Sequence, residues 1–178
     1  IRLAAGHLII QNRRNSWKAK LDKDPSDDTL RAKLIMLELL ELGNPQAAAK
    51  LLNQDVDESL RTYIPVAAKP IDKNDDTACM QMGKWYETFL GKSMTIGAKA
   101  TALKQAKAYY KQFLLVHEGD DMDRTRAALA IKRLDEQAKK LGITPTAPPV
   151  PTPKWANILK LIDPDKHRVR GKWAVQKD

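Results

Sequence analysis

Apolar residues recur along this chain with the period of helices. From Leu3, the positions Ile10, Trp17 and Leu21 follow at steps of seven, seven and four, which predicts a packed helix running to about Lys23. Asp24-Pro25-Ser26-Asp27-Asp28 then combines a helix-breaking proline with capping side chains and carboxylates suited to a helix N-terminus, so a second helix is expected from near Pro25. Leu30, Leu34, Ile35, Met36, Leu37, Leu40 and Leu42 give it a broad apolar face, and Gly43 supplies a left-handed stop. Asn44-Pro45 reads as an N-cap followed by proline in the first helical position, which opens a third helix from Gln46 to about Asn53. A turn this short places the second and third helices antiparallel as a hairpin. A short helix over Glu58 to Tyr63 should end before Pro65, and the stretch from Pro65 to Asp76 reads as a loop.

A second hairpin is expected over Thr77 to Val116. Met80, Met82, Trp85, Tyr86, Phe89 and Leu90 crowd its first helix before Gly91. Its second helix, from near Ala98, alternates small and aromatic residues at Leu103, Ala106, Ala108, Tyr109, Phe113 and Leu114, the pattern of second helices in tetratricopeptide repeats. Leu42-Gly43 matches Leu90-Gly91, so the two hairpins read as a degenerate repeat. A last helix from about Asp121 to Leu141 should turn Ala127, Ala128, Leu129, Ile131 and Leu134 inward and stop at Gly142. No strand is expected before residue 165. The fold class is therefore all-α, built of antiparallel helical hairpins over residues 1–142.

Residues 144–153 contain five prolines, so 143–153 reads as a stiff extended linker. Beyond it, Trp155, Ile158, Leu159, Leu161 and Ile162 fit a short amphipathic helix, and Val169 to Val175 alternates like a strand. Residues 154–178 are too few to fold alone and read as the start of a further, β-rich domain; the chain as a whole reads as a fragment of a longer protein.

Four segments carry a resemblance: Ala49-Lys50-Leu51-Leu52 to Leu60-Arg61, Met82-Gly83-Lys84-Trp85-Tyr86, Ala106-Lys107-Ala108-Tyr109-Tyr110, and Leu159 to Trp173. With these the chain resembles the helical-repeat region of large multi-domain proteins of planctomycete-type bacteria, in which such a region precedes a laminin-G-like or concanavalin-type sandwich. Ile162-Asp163-Pro164-Asp165-Lys166 with Gly171-Lys172-Trp173 resembles the entrance to that sandwich. The resemblance implies an architecture and a cell-envelope or secreted location; it implies no catalytic residue.

Charge changes the picture only at the ends. The net charge is +9. Residues 1–23 carry six Lys or Arg against Asp22, and residues 154–178 carry seven against three acids, which leaves 24–153 neutral. Arg13, Arg14, Lys18 and Lys20, with Lys166, Arg168, Arg170 and Lys172, are the candidate phosphate contacts of a nucleic-acid-binding alternative. Trp17 and Trp173 are too isolated to make a base-stacking platform. The longest apolar runs, such as Leu8-Ile9-Ile10, fall far short of the roughly 20 residues of a membrane span.

Candidate chemistry is sparse. Gly91-Lys92-Ser93 resembles the end of a phosphate-binding loop, but that motif needs glycine at position 86, which is Tyr. Glu118, Asp120, Asp121 and Asp123, and likewise Asp72, Asp75 and Asp76, offer oxygen ligands without EF-hand spacing and fit helix caps better. His7, His117 and His167 stand in no metal-ligand spacing, and the lone Cys79 has no partner thiol and no marked base. Trp85, Tyr86, Tyr109 and Tyr110 at helical spacing fit packing better than a ligand groove. The expectation is a non-catalytic protein-interaction or spacer module without cofactor or metal, whose partner is a protein or a neighbouring domain of the same chain.

Overall fold

The computed structural model describes residues 2–92 and 94–143, with side chains from Gly6 onward. The expected proline-rich linker and the expected further domain, residues 144–178, lie outside the described residues. The described residues form helices joined by turns and loops, without a strand: α1 (Arg2–Lys23), α2 (Asp28–Met36), α3 (Pro45–Ala49), α4 (Glu58–Ala67), α5 (Asp76–Thr88), α6 (Ile96–Val116) and α7 (Met122–Lys140). A π-helical turn, Leu37–Glu41, continues α2, and a 3-10 turn, Ile71–Lys73, precedes α5.

Local chemistry sets nearly every boundary. Six helices open on a side-chain cap, each contributing about 1 kcal/mol. Asp27 accepts from Leu30 N–H at 2.8 Å, Asn44 from Ala47 at 3.0 Å, Asp57 from Ser59 at 2.9 Å, Asp75 from Ala78 at 2.7 Å, Thr95 from Ala98 at 3.1 Å and Asp121 from Asp123 at 2.9 Å. Gly43 and Gly142 end α2's turn and α7 at φ 61° and 65°, a conformation open to glycine at little cost.

Four expectations need correction. The third helix stops at Ala49 rather than Asn53, because the Asn53 side chain accepts from the N–H groups of Asp55 and Val56 at 3.2 and 3.1 Å and starts a turn. The fourth runs through Pro65 to Ala67: the exposed proline removes one bond, but Leu60, Ile64 and Ala67 form a buried face that outweighs the loss. Leu129 points outward, 57 % exposed, because α7 buries the narrower stripe of Ala127, Ala130 and Leu134. Among the described side chains of α1 only Leu21 is buried, with Ile10 and Trp17 half-buried, since α2 and its π-turn cover just the C-terminal part of that helix.

The π-turn sits at the centre of one half of the core. Leu37, Glu38, Leu39 and Leu40 are all buried in succession, which a surface helix never shows, and α1, α3 and α6 surround them. In the other half, α5 and α6 run antiparallel. Asp76 meets His117 at one end, and midway the Gly83 backbone lies so close to the Tyr110 ring that a Cβ there would sit 2.7 Å from Cε1. Tyr86 stacks on Tyr109 at 5.9 Å. α7 returns antiparallel along α6, with Lys107 paired to Asp135 and Arg124 donating to the Leu114 carbonyl. The halves are joined where Thr95, the α6 cap, donates its hydroxyl proton to Glu41 at 2.6 Å.

Candidate functional site

Most side chains singled out for chemistry are taken up by packing or capping. Tyr86, Tyr109 and Tyr110 are buried, and burial pushes the Tyr109 hydroxyl up to about 12, so none ionises near neutral pH. Trp85 is core as well, with its ring 5.2 Å from Tyr63 and its N–H donated to Ser59. Cys79 lies in the same core; burial, and then Asp75 and Asp76, push its thiol up to about 11, which leaves no thiolate for nucleophilic work at pH 7. Tyr86, standing where a phosphate loop requires glycine, is a core residue, and Lys92 lies over the Phe89 ring at 5.1 Å. Ser93 falls outside the described residues.

The acidic clusters divide into caps and pairs. Asp75 and Asp121 cap α5 and α7, Asp123 pairs with Arg126 at 2.9 Å, Asp72 lies 3.9 Å from Lys73, and Glu118 and Asp120 are exposed. Among the basic ends, Arg14 is bound to Glu38, the Arg13 guanidinium lies 5.9 Å from the Trp17 ring centroid, and Lys18 and Lys20 are exposed. Lys166, Arg168, Arg170, Lys172 and Trp173 lie outside the described residues, as does His167. His7 is exposed and bonded to Gln11.

The histidine that acquires a role is His117. Its Nδ1 is 2.8 Å from Asp76 and its Nε2 3.1 Å from Asp121, with the ring stacked on Phe113 at 4.5 Å. A neutral imidazole has one N–H, so engaging both carboxylates as donor calls for the imidazolium. Three helix ends support it: the C-terminus of α6 favours the cation, and the N-termini of α5 and α7 favour the carboxylates. Arg124 adds a bond to the His117 carbonyl at 2.9 Å. The Asp76 contact foremost raises the His117 pKa, the same contact lowers that of Asp76, and the Arg124 N–H foremost lowers that of Asp121. The histidine contribution is complete below its ordinary 6.5 and fades as pH rises through the raised folded value; the carboxylate contribution is complete above 3.8 and fades as pH falls through the lowered values. Wild type and His117→Gln should therefore differ most in unfolding midpoint near pH 5 and converge above neutrality. A difference that stays constant from pH 5 to 9 would remove the imidazolium from the account. The His117-to-Asp121 step of four residues was visible in sequence, whereas Asp76 lies 41 residues away.

Two open features have no counterpart in the sequence reading. Between α5 and α7 lies a groove of about 450 Å³ lined by Met80, Lys84, Glu87, Tyr110, Arg126, Leu129, Ala130 and Arg133. A smaller one of about 320 Å³ opens beside Trp17 and Met36. Among the described residues no group of three or more His, Cys, Asp or Glu is placed to hold a metal ion, and no helix is long and apolar enough to cross a membrane. Compared with protein-family models, curated proteins and solved structures, the chain gives no match.

Proposed function

We propose that the chain is a non-catalytic interaction or spacer module of a larger multi-domain protein, built as a degenerate tetratricopeptide-like array. The observation that carries this reading is the groove between α5 and α7. Two helices separated in sequence by α6 line it side by side, and an exposed leucine, Leu129, stands open in it, while Cys79, Trp85, Tyr86 and Tyr109 are buried in packing. Helical hairpins that share a core and leave a groove between alternate helices provide a surface for a protein partner or a neighbouring domain of the same chain. The resemblance to planctomycete-type proteins adds a cell-envelope or secreted setting and a β-sandwich after the linker.

The test is a comparison of ligand classes on the full chain. An unbiased array of short peptides should yield binders that Leu129→Glu weakens, while duplex DNA and oligo-dT should not bind at physiological salt. Tight oligonucleotide binding that survives such salt and ignores Leu129→Glu would replace the interaction reading with the nucleic-acid one. If the basic ends neutralised about six phosphates of B-DNA, log affinity would fall with log salt at a slope near −5.

A further inference from the structure

The α5–α7 groove combines an apolar floor with an excess of positive charge. Buried Met80, Tyr110 and Ala130 form the floor, and Leu129 rises from it 57 % exposed. Along α7, Arg126, Leu129 and Arg133 follow at steps of three and four, so two cations flank the leucine on one face; along α5, Met80, Lys84 and Glu87 follow at steps of four and three. Both oxygens of the groove's carboxylate are already engaged. Tyr110 donates to Glu87 Oε1 at 2.6 Å, and Arg133 Nη2 is bonded to Oε2. Arg126 engages Asp123 through one nitrogen only, and Lys84 makes no ion pair among the described residues. Three cations therefore face one carboxylate inside the groove, and even with Asp123 counted the lining is net positive. The unused N–H donors lie beside an uncovered apolar side chain.

We infer that this groove docks a short acidic segment of a partner protein, with one large apolar side chain seated on Leu129 and flanking carboxylates on Lys84 and Arg126. The inference rests on the interaction-module reading and adds the chemistry of the partner. Opposite charge sets orientation and association rate, and the apolar anchor supplies the burial that a phosphate backbone lacks.

Fluorescein-labelled decapeptides test it by anisotropy on the full chain: one with a central Leu-Phe pair flanked by Glu, one with Lys replacing every Glu, one with Ala replacing the pair, and oligo-dT. The acidic apolar peptide should bind at least about tenfold more tightly than the other three, a difference of about 1.4 kcal/mol. Lys84→Glu with Arg126→Glu should reverse the preference toward the lysine peptide, and circular dichroism should show the helices retained. Both positions are on the surface, and Leu129→Ser serves as a second, uncharged variant that should weaken every peptide. Peptides that bind through Leu129 without regard to charge would overturn the acidic assignment and leave the interaction module standing. Binding of oligo-dT lost on Lys84→Glu would overturn it in favour of nucleic acid, and failure of every peptide would overturn both readings.

Discussion

Replacing Trp85 by alanine is expected to lower the unfolding free energy by about 3–5 kcal/mol, enough to threaten the fold of a domain this size. The indole is 5 % exposed and joins α4 to α5. It stacks on Tyr63 at 5.2 Å, meets Tyr86 and Phe89 edge-on at 5.0 Å each, and donates its N–H to Ser59 at 2.9 Å. Truncation removes the transfer energy of the ring and leaves a cavity among aromatic groups too rigid to collapse into it. The midpoint of thermal unfolding should fall by about 10 °C. Trp85→Phe, which keeps part of the ring contact and loses the Ser59 bond, should lie between the two; Ser59 is exposed and turns to water without penalty. A loss below about 1 kcal/mol for the alanine variant would show that the α4–α5 junction is not part of the cooperative core.

The second large effect concerns Glu38, the only charged residue buried among those described, at 3 % exposure. Its Oε1 is held by Arg14 of α1, and its Oε2 has no hydrogen-bond partner among the described residues. Removing one partner of a buried pair costs about 3–5 kcal/mol; because the Arg14 side chain is 33 % exposed, Arg14→Met should cost about 2–3 kcal/mol, water relieving part of the loss. The double variant Arg14→Met with Glu38→Leu should recover most of it, since an apolar pair of similar volume needs no desolvated charge. Urea unfolding of the four proteins in the cycle measures the coupling. Strict additivity of the two changes would mean that the pair does not couple α1 to the core.

The difference between legible and illegible features follows distance along the chain. The Asn44-Pro45 start, the Asp121 cap and the Gly43 and Gly142 stops depend on groups within a few residues, and the sequence exposes them directly. The π-turn at Leu37–Glu41 is invisible to a 3.6-residue period, and it brings Glu38 into a core the pattern reserves for leucine. Pro65 has a strong local preference that burial of Ile64 and Ala67 overrides. Leu129 reads as core by its chemistry alone, and its exposure depends on how little of α7 the rest of the bundle covers. The α5–α7 groove has the same character: Lys84 and Arg126 are ordinary surface residues until two helices, distant in sequence, set them around one leucine.

The bond between Thr95 and Glu41 spans 54 residues and ties the N-cap of α6 to the end of the π-turn. Helical arrays ordinarily grow and shrink by whole units, since each unit leans only on its neighbour. Here the hydroxyl that caps α6 grips the last residue of the π-turn, and α6 also packs on that buried turn. A cut or duplication between them leaves α6 its cap but takes away the carboxylate that the cap binds and the floor beneath the helix. A break after Gly91, which leaves the helices on either side whole, therefore strips α6 of the π-turn it packs on, and exchange of modules between genes is poorly tolerated there.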